Sequence, residues 1–369
     1  MKQDTATEVI SGLVSGTMPD KGGMIHKTQA QSAFLAYAAI LVYQTVMSVW
    51  AVNGSNVTEG GTFPLALFLV GRHMLASSAL AGLACYKYGL ASLIPESDDI
   101  KYIFIAGMFA QYMSPMFYLY GLQFVPATIG SIFDGPLIPV LVFVLAIVSR
   151  TEVLPESWSG RTGIVSGLCL TCGGVMFLII ASGSGGDTST AIDSQFYLAV
   201  TSLFCEAFAL SISILLQRPL AKKYRLLPFA FWISFSGLVA SFLQVAFYED
   251  GSIGLLGVLY QKLFNSNQLL FALLYNALLI SVVNNLCLAY ASEHLPSSIV
   301  AMGSCIQPVI TLFLEVFFFA KPLNLSHGAA LGAIAAGVHL FQKFNVQPSK
   351  CAEAPSTGHI RPAEMLHIA

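Results

Sequence analysis

Residues Phe63–Ala84, FPLALFLVGRHMLASSALAGLA, place an arginine and a histidine in the middle of a run otherwise made almost entirely of apolar and small residues. About 20 residues of helix cross a hydrocarbon core of about 30 Å, and the run is long enough to do so. It reads as a membrane span with a charge inside it. The whole chain agrees: 56% of its 369 residues are hydrophobic and 10% are charged, whereas an ordinary soluble domain is about a quarter charged. With a mean hydropathy of +0.73, a water-soluble surface cannot be built. The balance of 17 Lys+Arg against 19 Asp+Glu, a net charge of −2, gives nucleic acid no basic surface to bind.

The same window moved along the chain predicts ten spans, near 32–52, 63–86, 102–124, 127–149, 160–180, 196–217, 229–248, 269–291, 297–319 and 327–342. The expected fold class is therefore an all-α integral membrane protein. Lys and Arg accumulate on the cytoplasmic side of membranes. With the N-terminus inside, only Lys262 and Lys321 fall in outer loops and only Arg72 falls in a span; every other basic residue lies on an inner segment. One span more or fewer would move basic loops to the wrong side, so both termini are expected in the cytoplasm. The first residues contain no apolar signal-peptide core, and the run from Ser32 is expected to act as an uncleaved signal. Three N-x-S/T sequons, at Asn53, Asn56 and Asn324, fall in loops assigned to the outside. Those loops are short, and whether any sequon is glycosylated is open.

The segment YGLQFVPATIGS from Tyr120 reappears as YASEHLPSSIVA from Tyr290, matching Pro126 to Pro296 and Ile129 to Ile299. The match pairs the third and fourth spans with the eighth and ninth, which divides ten spans into five and five. Five is odd, so the second copy enters the membrane in the opposite sense, an inverted repeat with a site expected at the midplane between halves. The division is a cytoplasmic tail over 1–31, a first five-helix repeat over 32–180, a Gly/Ser linker over 181–195, a second repeat over 196–342 and a cytoplasmic tail over 343–369. A simple polar loop remains the alternative reading of the linker.

Arg72 costs about 2.5–3.5 kcal/mol in a span, so such residues are rare, face inward and are paired or line a wet cavity. Asp134, at matched depth on the fourth span, is the best sequence candidate for its partner; the pair is read either as functional or as a buried strut. Glu206 lies mid-span in the sixth helix, a candidate proton-coupling group or a neutral acid in one helix–helix hydrogen bond. His73 projects about 100° away from Arg72 and need not share its cavity. Gln44, Asn276, Gln307, Tyr118 and Tyr120 together could wall a polar and aromatic cavity, although each alone is more often interhelical glue. Pro136, Pro139 and Pro308 remove helix hydrogen bonds at depth, as gates in transporters do, with a plain kink as the alternative.

Six of the seven cysteines lie in apolar runs and are read as packed thiols, with Cys169 and Cys172 lacking the second pair that a zinc site requires. No metal or other cofactor is expected. Neither a Walker-type sequence nor HExxH or GxSxG is present, so neither nucleotide-driven pumping nor hydrolysis is expected and the chain is not read as an enzyme.

Arg72-His73, the string YLYGLQFVPAT from Tyr118, PVLVFVLA from Pro139 and ILLQRPLAKKY from Ile214 resemble the plant-type drug/metabolite exporters, the EamA-domain proteins related to the walls-are-thin transporters. The resemblance runs over all ten spans. It implies two five-helix repeats, cytosolic termini and movement of small organic metabolites such as amino acids or auxin-like amphipathic acids, with Arg72 lining the site and Tyr118 to Thr128 in a central hairpin. Where the family closes its ninth span with Gly-Glu, this chain has Ala320-Lys321-Pro322.

The leading expectation is thus a secondary exporter or facilitator working by alternating access. A nucleotide-sugar or sugar-phosphate exchanger ranks lower, because phosphates call for several inward cations. A non-transporting scaffold or receptor is the reading from another class. Expected partners are a small-molecule substrate and the lipid bilayer, with a homodimer open. The plasma membrane is favoured over a vacuolar or other endomembrane, since the C-terminal MLHIA carries no retention signal.

Overall fold

A computed structural model describes residues 21–58, 65–124, 135, 137–151, 155, 157–183, 194–248, 267–319 and 325–345. Among them there is no strand, and the helices are α1 (Lys21–Thr58), α2 (Leu65–Tyr88), α3 (Ile100–Gly107), α4 (Ser114–Gly121), α5 (Ile138–Val148), α6 (Trp158–Gly183), α7 (Ser194–Lys223), α8 (Leu226–Tyr248), α9 (Asn267–Tyr275), α10 (Asn284–His294), α11 (Ser297–Met302), α12 (Gln307–Phe319) and α13 (Leu325–Asn345). Five segments among the described residues are long and apolar enough to cross a membrane: Gln31–Trp50, Leu65–Tyr88, Tyr197–Lys223, Leu226–Phe247 and Leu269–His294. Polarity is inverted relative to a soluble protein. Phe34, Phe247, Phe271 and Phe317 are exposed, while Gln44, Arg72, Glu206, Asn276, Asn284 and Gln307 are buried. In hydrocarbon the apolar side chains belong outside and the polar ones must find partners within.

The first span, Gln31–Trp50, agrees with the 32–52 read from the sequence, but the helix that contains it is longer. It starts at Lys21 rather than Ser32 and runs to Thr58, so Asn53 and Asn56 lie in helical backbone and not in a loop. A hydropathy window detects only the apolar part of a helix; outside the bilayer the same hydrogen-bonded ladder continues through polar residues. Of the expected linker over 181–195, residues 181–183 end α6 and 194–195 open α7 as helix, and 184–193 lie outside the described residues, as do the Val125-Pro126 connector and Asn324 of the third sequon. Between α10 and α11 the chain turns at Leu295-Pro296, Pro296 taking the N-cap position, where its missing N–H has no cost.

Two helices are interrupted by π-helical turns. Met108–Met113 joins α3 to α4, and Asn276–Val283 joins α9 to α10. The first has a covalent cause: Pro115, in the first turn of α4, has no N–H to offer the carbonyl of Gln111 four residues back. At the second, Asn285 inserts its Nδ2 at 2.6 Å onto the carbonyl of Ser281, so a side chain takes over that backbone acceptor.

Packing follows a recurring pattern. α1 packs on α10 and α12, while α7 packs on α4 and α5; α2 lies along α8, and α6 along α13. The last pair meets through glycine, where side chains on Gly167 or Gly337 would strike the backbone nitrogens of Phe341 and Thr171 at 2.6 and 2.5 Å. Two serines close equivalent contacts. Ser48 Oγ donates to the carbonyls of Gln44 at 2.7 Å and Gln307 at 3.1 Å, and Ser211 Oγ to those of Ala207 at 2.6 Å and Ile138 at 3.4 Å.

At one end of the bundle the loop after α2 is locked to the end of α7. Lys223 Nζ lies 2.7 Å from Asp99 Oδ2 and also pairs with Glu96. Tyr224 donates its hydroxyl to Asp99 Oδ2 at 2.6 Å, and burial together with that bond pushes its pKa up to about 12.

Candidate functional site

Several of the polar side chains buried between these helices converge on one cavity, with about 1060 Å³ of empty space, its open mouth included. α1 contributes Tyr43, Gln44 and Trp50, α2 contributes Arg72, the first π-turn Gln111, α4 Ser114 and Tyr118, α7 Glu206, α10 Asn284 and Asn285, and α12 Gln307. Aliphatic residues such as Ile40, Ile138, Ile214 and Leu288 complete the walls. An apolar chamber with a few fixed polar groups is the surface that a small amphipathic solute requires.

Arg72 is 5% exposed, and neutral groups hold it. Its Nε donates to Ser281 Oγ at 2.5 Å and its Nη2 to Gln111 Oε1 at 3.0 Å. Ser281 belongs to one π-turn and Gln111 to the other, so the guanidinium ties the two irregular turns together. Gln111 passes the network on, its Nε2 donating to Asn285 Oδ1 at 2.7 Å, and Asn285 in turn donates to Ser234 Oγ at 3.0 Å on α8. The carbonyl of Gln111 that Pro115 leaves open accepts from His73 Nε2 at 2.7 Å. A carbonyl can only accept, so His73 carries its proton on Nε2. Adjacent in sequence, Arg72 and His73 therefore grip the same turn of α3–α4 from different sides of α2, and only Arg72 lines the cavity.

Glu206 is buried at 3% exposure and accepts a hydrogen bond from Ser114 Oγ at 3.1 Å. Pro139, in the first turn of α5, leaves the carbonyl of Gly135 without its helical donor, and Ser304 Oγ supplies one at 3.0 Å from the 3-10 turn before α12. Pro308 is the second residue of α12, directly after that 3-10 turn. Both prolines thus mark real interruptions of helical hydrogen bonding.

The cavity brings together Arg72, Glu206, Gln44, Tyr118 and Gln307 of the residues singled out from the sequence. Two fall elsewhere. Asn276 is buried but donates to the carbonyl of Ala272 one turn back in its own helix. Tyr120 is 37% exposed and packs edge-on against Phe124, because it sits two residues, and so nearly half a helical turn, from Tyr118. Asp134 and Pro136 lie outside the described residues. Gln111, Ser114, Ser281 and Ser304 went unmarked in the sequence reading. Gln111 carried a signal, as a lone amide in the apolar third span; the serines carried none, since serine is common in membrane helices.

Residues 197–341 match the EamA-like transporter family. A solved structure titled "Crystal structure of protein" is similar in fold, with a TM-score of 0.60 at 13% identity, over 85% of this chain and 98% of that one. The chain is a multi-pass membrane protein, and its stretch 197–341 is similar to the EamA-like transporter family.

Proposed function

We infer that this protein is a secondary exporter or facilitator of small organic metabolites, in the manner of the plant-type drug/metabolite exporters, with ten spans in two inverted five-helix repeats. The observation that carries the reading is the cavity that gathers Arg72 and Glu206 with buried amides between helices of both halves. Three further features support the repeat. α1 and α7 open the two halves; α1 packs on α10 and α12, in the eighth and ninth spans, and α7 on α4 and α5, in the third and fourth, so each packs on the third- and fourth-span helices of the other half. Ser48 and Ser211 close like pairs of hydrogen bonds. The separation of Tyr120 from Tyr290 carries the π-turn Met108–Met113 onto 278–283, inside the second π-turn. Equivalent π-helical turns beside one chamber suit alternating access, in which one half rocks against the other around a fixed site.

In this reading Arg72 orients the solute, Glu206 takes up and releases a proton through the cavity, and Pro139 and Pro308 give the helix breaks about which the halves move. The excess of basic residues on the inner segments supports cytoplasmic termini, and the plasma membrane is the proposed location. The test is uptake into proteoliposomes of labelled amino acids and indole acids, with and without a pH gradient. Arg72→Ala is expected to abolish uptake, and Glu206→Gln to remove only its dependence on the gradient. Normal uptake by Arg72→Ala, in protein that elutes as the wild type does, refutes the assignment.

A further inference from the structure

Gln44, Asn284 and Gln307 are each at least 97% buried, line the cavity, and have polar atoms without a hydrogen bond among the described residues: Gln44 Oε1, Asn284 Oδ1 and Gln307 Nε2. They occupy one level of the bundle. Ser48 ties α1 to the backbone of Gln307, Asn284 Nδ2 reaches the carbonyl of Tyr43, the neighbour of Gln44, at 3.4 Å, and Gln44 Nε2 lies against Gly303, where a side chain would come within 3.9 Å. Buried polar groups are nearly always paired, so three carboxamides lining one cavity, each with one polar atom left without a partner among the described residues, mark a site and not a packing accident.

We propose that this wall is a recognition site for an uncharged primary carboxamide or ureido group on the transported solute. The proposal rests on the transporter reading and specifies its substrate class. The complementarity is one of counting. Two free amide oxygens accept and one free amide nitrogen donates; a primary carboxamide presents two N–H donors and one carbonyl acceptor. Asn284 fixes the polarity, because its Nδ2 is committed to Tyr43 and its Oδ1 must accept. A carboxylate would set its oxygens against two amide oxygens and lose on that side. Trp50 and Tyr118 in the same cavity offer aromatic faces to the apolar body of the solute. Discrimination of this kind is large, since a site built to pair a polar group rejects an analogue that leaves its own groups unpaired.

The experiment uses the full chain in lipid nanodiscs and equilibrium dialysis with three compounds of one skeleton: phenylacetamide, phenylacetate and phenethylamine. Phenylacetamide is expected to bind saturably and at least tenfold more tightly than the other two. Gln44→Met and Gln307→Met, which keep side-chain length and remove atoms with no hydrogen bond among the described residues, are expected to weaken it at least tenfold and to leave the melting temperature equal or higher. Tighter binding of phenethylamine or phenylacetate, no saturable binding of any of the three, unchanged binding in both variants, or a fall in melting temperature in both overturns the proposal. Binding as expected with no uptake of phenylacetamide into proteoliposomes leaves the carboxamide site standing and refutes the transport reading instead.

Discussion

Gln111→Leu tests the network that holds the buried arginine. The side chain of Gln111 makes two hydrogen bonds, accepting from Arg72 Nη2 at 3.0 Å and donating to Asn285 Oδ1 at 2.7 Å. A hydrogen bond to a charged group contributes about 1.5–3 kcal/mol and a neutral one about 0.5–1.5 kcal/mol, so the substitution should destabilise the fold by about 2–4 kcal/mol. Among the described residues Arg72 keeps Ser281 in the variant, and a buried charge stripped of a partner dominates the loss. Reversible unfolding in mixed micelles, followed by tryptophan fluorescence, measures the change. The specific form of the argument is a double-mutant cycle with Arg72→Met: once the guanidinium is gone, losing Gln111 should cost about 1.5–3 kcal/mol less than it does in the wild type. Additive effects, or a Gln111→Leu protein within about 0.5 kcal/mol of wild type, would refute the reasoning and leave Arg72 anchored elsewhere.

The glycine contact between α6 and α13 should not accept a methyl group: Gly337→Ala brings a carbon within 2.5 Å of the Thr171 nitrogen and should destabilise by about 1–3 kcal/mol, whereas Gly173→Ala, which meets nothing within 4 Å, should melt like the wild type. At the end of α7, Tyr224 has a hydroxyl pKa raised from 10.0 to about 12 by burial and by its bond to Asp99, so its contribution is complete below pH 10 and disappears as the pH rises through about 12. Tyr224→Phe should therefore be less stable than wild type at pH 8, with the gap in melting temperature closing toward pH 12; a gap that does not change with pH assigns the effect to packing. Ser304→Ala removes the stronger of two donors on the Gly135 carbonyl opened by Pro139, leaving Cys305 Sγ at 3.2 Å, and should lower stability by about 0.5–1.5 kcal/mol, while a Ser304→Ala, Pro139→Ala double variant should recover part of it by restoring the helical donor. For topology, single cysteines at Lys262 and Lys321 should react with impermeant maleimide from outside intact cells and a cysteine at Lys101 should not; the reverse pattern overturns the orientation.

Composition and span length decided that the chain is a helical membrane protein, because hydrocarbon admits few other ways to satisfy a backbone and the apolar residues needed are written one after another. Arg72, Glu206, Gln44 and Gln307 were legible for the same reason, as polar residues that a span carries only with cause. Helix ends were not: α1 continues through Asn53 and Asn56 because hydrogen bonding, not hydropathy, terminates a helix. The full set of partners around Arg72 was also beyond the sequence. Asp134, the acid that charge and depth suggest, lies outside the described residues, and among those described the guanidinium is held by a serine and a glutamine in two π-turns that are far apart in the chain. Pro115 creates one of those turns, and its effect is felt four residues back at a carbonyl that His73 of α2 reaches. Tyr118 and Tyr120 looked equivalent in sequence, yet two residues of helical rotation put one against the cavity and turn the other away. Periodicity and polarity state which side chains must be buried; which of them meet depends on how the helices cross, and that is decided by glycine contacts, helix breaks and long-range hydrogen bonds that no single segment contains.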